Sequence, residues 1–511
     1  MNFLKQCEDG EMGSQRGGSW VVTRKILVGT LVSAVMAGPV FGAGETVTIP
    51  AEDYQAILKR LDALQQRVEF LEAKPVVAPV DEKNILQVEQ DVKTIYDGMD
   101  EIETRQLQQK VNLGAELRTR VDTYTLADYP LASDKEHDSN NWTSRFRVNM
   151  DATFAETLSF HGRLAMFKNW GDSDDATAGG MLNDATRSHQ PSSSNLWVDR
   201  AYVDWTPQGL PVPLAITIGR QPSTEGPPLE FKENRLRQST YPAHLFNGES
   251  DGIVATLGLE RYTGLAEAGL RVGYSKFYHS DDDNTIGNAF PFLDDQEAGD
   301  SNVLGFLLES ELPGLPNSLA VLSYANVWDL PLIPFGPTRN GITGYPANEN
   351  LGDLQLWGVH LQARNLVDSG TDLFFSYGAN HSSPNGNAPW GQGLLSADGL
   401  EARDGFSIYT GVRYTIPFAP LNLPKLGLEF NYGSQYWFSM TMGSSDLFNK
   451  LASRGEVYDL YYIQPVNQYL FFRAGWMHVA YKYTGSGLYM GDPAPTQAVL
   501  DNYYLLMDVR F

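Results

Sequence analysis

The sequence predicts an all-β protein: an antiparallel transmembrane β-barrel of about 16 strands, preceded by a periplasmic α-helical coiled coil. Three observations predict this fold class. A heptad pattern of apolar residues covers 54–106, alternation of apolar and polar residues begins at 111, and the connections between predicted strands alternate short and long. We therefore expect a signal peptide at 1–43, a periplasmic coiled coil at 44–110 and an outer-membrane β-barrel at 111–511.

The first part of the chain has the pattern of an exported protein. Arg24 and Lys25 precede an apolar run at 26–37, and the small residues at 38–44 provide a cleavage site. The single cysteine, Cys7, lies before that site. A mature chain without cysteine suits an oxidising compartment, and it excludes disulfides, thiolate metal sites and cysteine nucleophiles.

Two helical segments follow, separated by a break between Pro75 and Pro79. Their apolar residues recur in steps of three and four, which is typical of a coiled-coil seam. The seam positions are Tyr54, Ile57, Leu61, Leu64, Val68, Leu71, Ile85, Val88, Val92, Ile95, Met99 and Ile102. Each segment has about 25 residues, too few for a stable lone helix in water. The helices therefore need partners. These could be the helices of neighbouring protomers in a homotrimer, which the β-branched residues at the seam positions of the second segment favour. Alternatively, the two segments could pair with each other within one chain. Such a coil could also bind peptidoglycan or a periplasmic partner.

From residue 111 the period of the pattern changes to two, the period of a β-strand. In the first strand, Leu113 and Leu117 belong to an apolar face, whereas Arg118 and Arg120 belong to a charged face. A membrane barrel around water requires an apolar outer face and a polar inner face. The predicted strands are 112–124, 142–155, 157–168, 195–206, 213–220, 251–260, 265–277, 302–312, 317–327, 353–366, 370–382, 404–416, 424–436, 456–465, 468–482 and 499–511.

The connections between these strands support the barrel independently. Short turns such as 155–156 alternate with long segments such as 169–194 and 221–250, as expected for periplasmic turns and external loops. Because the number of predicted strands is even, the first strand begins and the last strand ends on the side of the short turns. This predicts that both chain ends of the barrel lie in the periplasm, where the coil must lie. The last predicted strand alternates up to Phe511, which resembles the assembly signal of outer-membrane barrels.

Three runs resemble an uncharacterised family of bacterial outer-membrane, porin-like β-barrel proteins with an N-terminal coiled coil. These runs are Arg145 to Asn149, Gly219 to Pro228 and Val457 to Tyr462. The resemblance covers nearly the whole mature chain and implies the fold and the location, without an established substrate. In layout the chain also resembles the trimeric general porins.

In those porins the third external loop folds inward and narrows the channel opposite a ladder of arginines. The resemblance implies that residues 221–250 form such a constriction loop. The charged residues of this loop are Glu225, Glu230, Lys232, Glu233, Arg235 and Arg237. The candidate pore-lining arginines are Arg118, Arg120, Arg145, Arg147, Arg163 and Arg200. A field between loop and wall would orient polar solutes.

Two simpler interpretations of these residues stay open. Residues 221–250 could be an ordinary external loop, because most connections run over the surface. The arginines could serve only to pair with acidic residues of the wall, which are Glu116, Asp122, Asp151 and Asp204.

These features predict a bacterial outer-membrane channel for passive diffusion of small hydrophilic or ionic solutes. Two alternatives stay open: a barrel sleeve of a trans-outer-membrane electron-transfer complex, and an envelope tether. We expect no enzyme and no cofactor. His161, His360 and His478 are not accompanied by an HExxH, GxSxG or phosphate-loop pattern, and no CxxCH haem motif occurs.

The charge of the chain limits its partners. With 38 basic and 62 acidic side chains the net charge is -24, so nucleic acid is an unsuitable partner, and we expect outer-membrane lipid and lipopolysaccharide instead. The predicted inward positions carry more basic than acidic residues, which predicts a preference for anions. Asp281, Asp282 and Asp283 are candidate Ca²⁺ or Mg²⁺ ligands, but their spacing is not that of a calcium loop, which favours a solvated charge run.

Overall fold

The computed structural model describes seven stretches of the chain and six helical positions between residues 59 and 93. The stretches are 111–128, 136–170, 196–278, 300–331, 349–441, 446–487 and 491–511. The chain divides into two compact units, Met1–Val88 and Glu89–Phe511. All seven stretches belong to the second unit, which contains every strand described below.

The described residues of this unit form a closed barrel of sixteen antiparallel strands, in which each strand pairs with its neighbours in sequence and the first pairs with the last. The strands are β1 (Val111–Ala127), β2 (Glu136–Ala155), β3 (Leu158–Asn169), β4 (Trp197–Trp205), β5 (Leu214–Arg220), β6 (Asp251–Gly258), β7 (Gly269–Tyr278), β8 (Ser301–Leu312), β9 (Leu315–Trp328), β10 (Gly352–Ala363), β11 (Thr371–Pro384), β12 (Asp404–Thr415), β13 (Lys425–Gly433), β14 (Gly455–Pro465), β15 (Leu470–Tyr481) and β16 (Val499–Arg510). The short helices are α1 (Leu229–Lys232) and α2 (Glu260–Thr263), with 3₁₀ turns at Leu366–Asp368, Pro389–Gly391, Ala419–Leu421 and Lys450–Ala452. The predicted all-β, 16-stranded antiparallel barrel is confirmed.

The alternation of side chains along each strand separates two faces of the barrel wall. Where β1 pairs with β16, Arg118 lies opposite Asp508 and both are buried, whereas the adjacent Leu117 is exposed. Large apolar side chains stay exposed on the outer face around the barrel. They include Leu113, Leu117, Ile218, Ile253, Phe306, Leu308, Leu322, Leu373, Phe375, Val412, Leu426, Leu428, Leu460, Phe472 and Leu505.

The connections differ in length between the two ends of the barrel. At one end they are tight, as at 156–157 between β2 and β3 and at 466–469 between β14 and β15, and α2 also belongs to this end. At the other end they are longer, and two of them matter for the site: 221–250 between β5 and β6, and 434–454 between β13 and β14.

The predicted signal peptide at 1–43 and most of the predicted coiled coil at 44–110 lie outside the described residues. The six described positions there are helical: Lys59, Asp62, Ala63, Gln65, Gln66 and Lys93. The pairing of helices in a coil stays a prediction. Within the described part of the chain, no helix is long and apolar enough to cross a membrane.

Candidate functional site

Residues 221–250, which we call the inner loop, leave the barrel wall as a narrow stem. In the stem the Ser223 hydroxyl donates to the Gly248 carbonyl oxygen at 2.6 Å, and the Glu225 amide donates to the Asn247 side-chain oxygen at 2.8 Å. Nearly all stem residues are buried or half-buried. The stem therefore directs the tip of the loop, which contains α1, into the lumen.

The structure brings the charged residues of the inner loop against the arginines of the wall. Glu225, Glu230, Lys232 and Glu233 are buried, and Arg237 is a quarter exposed at its side chain. Arg235 is also largely shielded. The buried wall arginines are Arg118, Arg120, Arg145, Arg147, Arg163 and Arg200. The segment is thus packed inside the barrel, which an ordinary external loop would not be.

Glu225 is the centre of the first group of contacts. Its carboxylate accepts hydrogen bonds from Arg147 at 2.6 Å, from Arg145 at 3.0 Å and from Arg163 at 3.1 Å. Burial raises the pKa of Glu225, but the three guanidinium groups outweigh burial and hold it well below its usual range. One loop carboxylate therefore joins two strands of the arginine wall.

A β-bulge adds a carboxylate to this wall that alternation does not predict. Between β3 and β4 the register shifts, so that Arg163 pairs with Arg200 while Leu164 pairs with Val198. Asp199 and Arg200 are in consequence both buried, and Asp199 accepts a hydrogen bond from Arg163 at 2.5 Å. Strict alternation from Arg200 would have turned Asp199 to the outer face.

The tip of the inner loop contacts the seam where the barrel closes. The Glu233 carboxylate pairs with Arg118 of β1 and lies 3.3 Å from the Arg473 guanidinium of β15. Arg235 donates two hydrogen bonds to Glu116 of β1, at 2.7 and 3.1 Å. These bidentate and charge-assisted contacts fix the tip against β1 and β15, the two strands that flank β16.

On the opposite side, the loop reaches strands in the second half of the chain. Glu230 accepts hydrogen bonds from Arg364 at 2.9 Å and from Gln362 of β10 at 3.0 Å. Arg413 of β12 donates to the carbonyl oxygen of Phe231 at 2.6 Å. The inner loop therefore crosses the lumen from wall to wall.

The described residues of the connection between β13 and β14, 434–441 and 446–454, also enter the lumen, and we call them the second inner segment. Lys232 of the inner loop lies 2.9 Å from Asp446 of this segment and 2.7 Å from Asp459 of β14. Asp446 in turn lies 2.5 Å from Arg120 of β1. The sequence did not single out this segment, because its aromatic residues also suit a barrel wall.

Apolar and backbone contacts join the two inner segments directly. The Asn247 amide donates to the Met440 carbonyl oxygen at 2.7 Å, and the Met440 amide donates to the Leu245 carbonyl oxygen at 3.1 Å. The His244 ring lies 5.3 Å from the Trp437 ring. Leu245, Trp437 and Met440 belong to a buried apolar cluster with side chains of the wall. At this end the lumen is therefore occupied by packed side chains.

The buried charges of the described residues are close to balanced in sign. The buried basic residues are Arg118, Arg120, Arg145, Arg147, Arg163, Arg200, Lys232, Lys450, Arg454 and Arg473. The buried acidic residues are Glu116, Asp122, Asp199, Glu225, Glu230, Glu233, Glu309, Asp372, Glu429, Asp459 and Asp508. This set includes residues of the two inner segments, whereas the predicted excess of basic residues concerned the inward wall alone. The preference for anions therefore stays a prediction, although Asp199 and Asp459 are inward carboxylates that the sequence did not indicate.

Two serine–histidine pairs lie among the buried residues. His360 is hydrogen-bonded to Ser376 at 2.7 Å and to the Gln362 side-chain oxygen at 3.1 Å. His244 is hydrogen-bonded to Ser407 at 2.8 Å. All four side chains of these pairs are at most 1% exposed, so a substrate has no access to either serine in this conformation.

The raised pKa of Glu249, which lies at the end of the inner loop just before β6, predicts a pH dependence of stability. Burial raises the pKa of Glu249 to about 8, and Asp199 adds to the rise while Arg220, 3.3 Å away, opposes it. The stabilising contribution of the neutral form is complete below the unfolded pKa of about 4.3 and is lost as the pH rises through 8. We expect the thermal unfolding midpoint to fall between pH 5 and pH 8, and the fall to be smaller in Glu249→Gln. An equal fall in both proteins would contradict the assignment.

The acidic residues proposed as metal ligands, Asp281, Asp282 and Asp283, lie outside the described residues. Among the residues whose placement is given, no group of three or more His, Cys, Asp or Glu side chains is arranged to hold a metal ion.

Comparisons with known proteins give distant structural likenesses. The chain is similar to OprB of Pseudomonas putida in its high-pH structure, with 13% identity and a TM-score of 0.46, over 80% of this chain and 96% of that one. It is similar to a loop L8 deletion mutant of OmpT, an outer membrane protein of Vibrio cholerae, with 11% identity and a TM-score of 0.44, over 79% of this chain and 100% of that one. It is also similar to Salmonella typhi OmpF in complex with daunomycin, with 8% identity and a TM-score of 0.43, over 79% of this chain and 98% of that one.

No curated protein matches the sequence. A family model does match: the one described as "Protein of unknown function (DUF3373)" covers residues 135–509. That range runs from the start of β2 to the end of the barrel, one residue short of the last position of β16.

Proposed function

The chain belongs to the DUF3373 family of proteins of unknown function, and we propose that it is a porin-like channel of the bacterial outer membrane. Its solutes are small and hydrophilic or ionic, and the inner loop restricts their passage. The observation that carries this proposal is the course of the inner loop, which crosses the lumen and pairs its charges with the wall on both sides.

The outer face of the barrel supports a location in the membrane. Leu113, Phe306, Phe375 and Leu460 are more than a third exposed, and similar side chains occupy outward positions around the barrel. A soluble protein rarely exposes so extensive an apolar surface, whereas lipid covers it in a membrane barrel. The signal peptide predicted at 1–43 agrees with export to the outer membrane.

The inner loop supports a restricted passage rather than a wide pore. Its acidic groups and the wall arginines neutralise one another, so the lumen offers small polar solutes a narrow route of mixed charge. The near balance of buried charges supports only a weak preference for either sign of charge. We propose weak selectivity by charge and stronger selectivity by size.

The occupied lumen also bears on the alternative functions. A sleeve around a cytochrome needs a wide interior, but here the inner loop and the second inner segment occupy part of that interior with their own packed side chains. A tether needs no charged network across a lumen. We therefore keep the channel as the proposal, with lipopolysaccharide around the barrel, a homotrimer as the expected assembly and the coil as the contact to a periplasmic partner.

Deleting the tip of the inner loop tests this function. Residues 226–240 can be removed with little strain, because the backbone of Gly226 lies against the Tyr241 carbonyl oxygen and the deletion joins 225 to 241. In planar bilayers we expect small conductance steps from the mature protein and steps several-fold larger from the deletion variant. The reason is that the deletion removes α1, and with it the part of the inner loop that contacts β10.

A deletion of equal length in the acidic connection, residues 281–295, is the control for the loss of fifteen residues, and the rise in conductance should be larger for the 226–240 deletion. Equal conductance of the mature protein and the 226–240 deletion would refute the constriction. A folded barrel that is silent even after the deletion would refute the channel itself.

A further inference from the structure

One part of the inner wall differs chemically from the arginine wall. Across five neighbouring strands, β6 to β10, the paired inward positions are Val254, Gly273, Gly305, Ala325 and Leu356. All five residues are small or apolar, so this row offers a solute neither a charged group nor a side-chain hydrogen bond. The inner loop faces it with apolar residues of its own.

A cavity of about 70 Å³ lies between this row and the inner loop. The inner loop contributes the apolar side chains Pro242, Leu245 and Phe246, together with Tyr241 and, at its two ends, Gln221 and Ser250. Gly305 leaves the space open, because a Cβ at this position would meet no atom closer than the Tyr324 carbonyl oxygen at 3.8 Å. Since one water occupies roughly 10–15 Å³ on this scale, the cavity has room for about five waters or one six-membered ring.

Polar groups at the edge of the cavity restrict the class of ligand. Arg271 lies in the lining, but its guanidinium is already paired with the Glu309 carboxylate at 2.5 Å. Ser323 also lines the cavity, and its Oγ is buried without a hydrogen-bond partner among the described residues. An unsatisfied buried hydroxyl costs free energy that a ligand hydroxyl would recover.

We propose that this cavity binds a small, uncharged ring compound with one hydroxyl group, a molecule of the phenol class. The ring lies between the Gly305 position and the Phe246 side chain, and its hydroxyl forms a hydrogen bond with Ser323 Oγ. This site meets the charged network of the inner loop only through Arg271, whose partner Glu309 also pairs with Arg237 at 3.2 Å, and the proposal does not depend on the proposed channel activity.

Fluorine NMR on the folded barrel in detergent at pH 7 tests the proposal, with 4-fluorophenol and fluorobenzene as the probes. The wild-type protein should bind both. Ser323→Ala should weaken 4-fluorophenol about 3- to 10-fold and leave fluorobenzene unchanged, because only the phenol loses a hydrogen bond. Gly305→Leu should abolish binding of both probes, because its side chain fills the cavity.

The variants separate a protein site from partition into detergent. If both variants bind both probes as the wild type does, the signal comes from the micelle and the proposal is wrong. Failure of the wild type to bind either probe also refutes it. If Gly305→Leu fails to fold, Ser323→Ala alone decides, since an equal effect on both probes would exclude the proposed hydrogen bond.

Discussion

Replacing Glu225 by glutamine should lower the free energy of unfolding by about 3–5 kcal/mol, the usual cost of removing one partner from a buried ion pair. Arg145, Arg147 and Arg163 all donate to this carboxylate within 3.1 Å, and all three are buried. Glutamine keeps the size of the side chain but removes its charge, so like charges then face one another in a poorly hydrated space. We expect the inner loop to leave the wall and the conductance to rise.

Denaturant unfolding of the barrel, followed by tryptophan fluorescence, measures the change in stability. Glu267→Gln is the matched control. Glu267 is largely exposed, and its ion pair with Arg237 is a loose one, with 3.5 Å between the closest atoms. Exposed ion pairs of this kind contribute little to stability. Equal stability of the Glu225 variant and this control would show that the arginines do not depend on the loop carboxylate.

Replacing Gly226 by alanine should have the second largest effect, for a steric reason. An added Cβ would lie 1.7 Å from the carbonyl oxygen of Tyr241, so the backbone of the loop must move. Overpacking of this kind costs about 1–3 kcal/mol and occasionally more. Because no charge changes, we expect a less stable barrel with a displaced loop tip but an unaltered arginine wall.

Gly248→Ala provides a control in the same stem. There an added Cβ would find its nearest neighbour, the Met440 carbonyl oxygen, at 3.8 Å, which is ordinary contact. The denaturant midpoint of unfolding should therefore be the same for the wild type and Gly248→Ala, and lower for Gly226→Ala. If the two alanine variants unfold alike, the stem tolerates the displacement and the loop is less constrained than its geometry indicates.

The barrel could be predicted from sequence because each strand carries its own signal. In β1 the exposed Leu117 and the buried Arg118 follow from alternation alone, and the same rule applies to every regular strand. Asp199 could not be placed in this way, because a bulge between β3 and β4 reverses the facing of one residue and leaves no trace in composition.

The candidate site could be predicted only in part. Its place as the third external loop and its charges marked the inner loop. Which wall group each charge contacts depends on the path of the loop, as with Glu230 and Arg364 of the far wall. The second inner segment has few charges, so nothing in its sequence distinguished Lys450 from a surface residue. Lys450 becomes buried beside Asp459 only when the second inner segment and the inner loop meet inside the barrel.

The position of Glu233 has a consequence for how the protein assembles. Its carboxylate pairs with Arg118 of the first strand, and its carbonyl oxygen accepts a hydrogen bond at 2.8 Å from Arg510 of the last. These two strands come together only when the newly made chain completes the ring, and Arg118 and Asp508 at that junction are 390 positions apart in sequence. Contacts of such long range carry a cost in loop-closure entropy. We therefore expect the loop tip to dock at this junction only after β1 and β16 have paired, and to fasten the ring once it is closed.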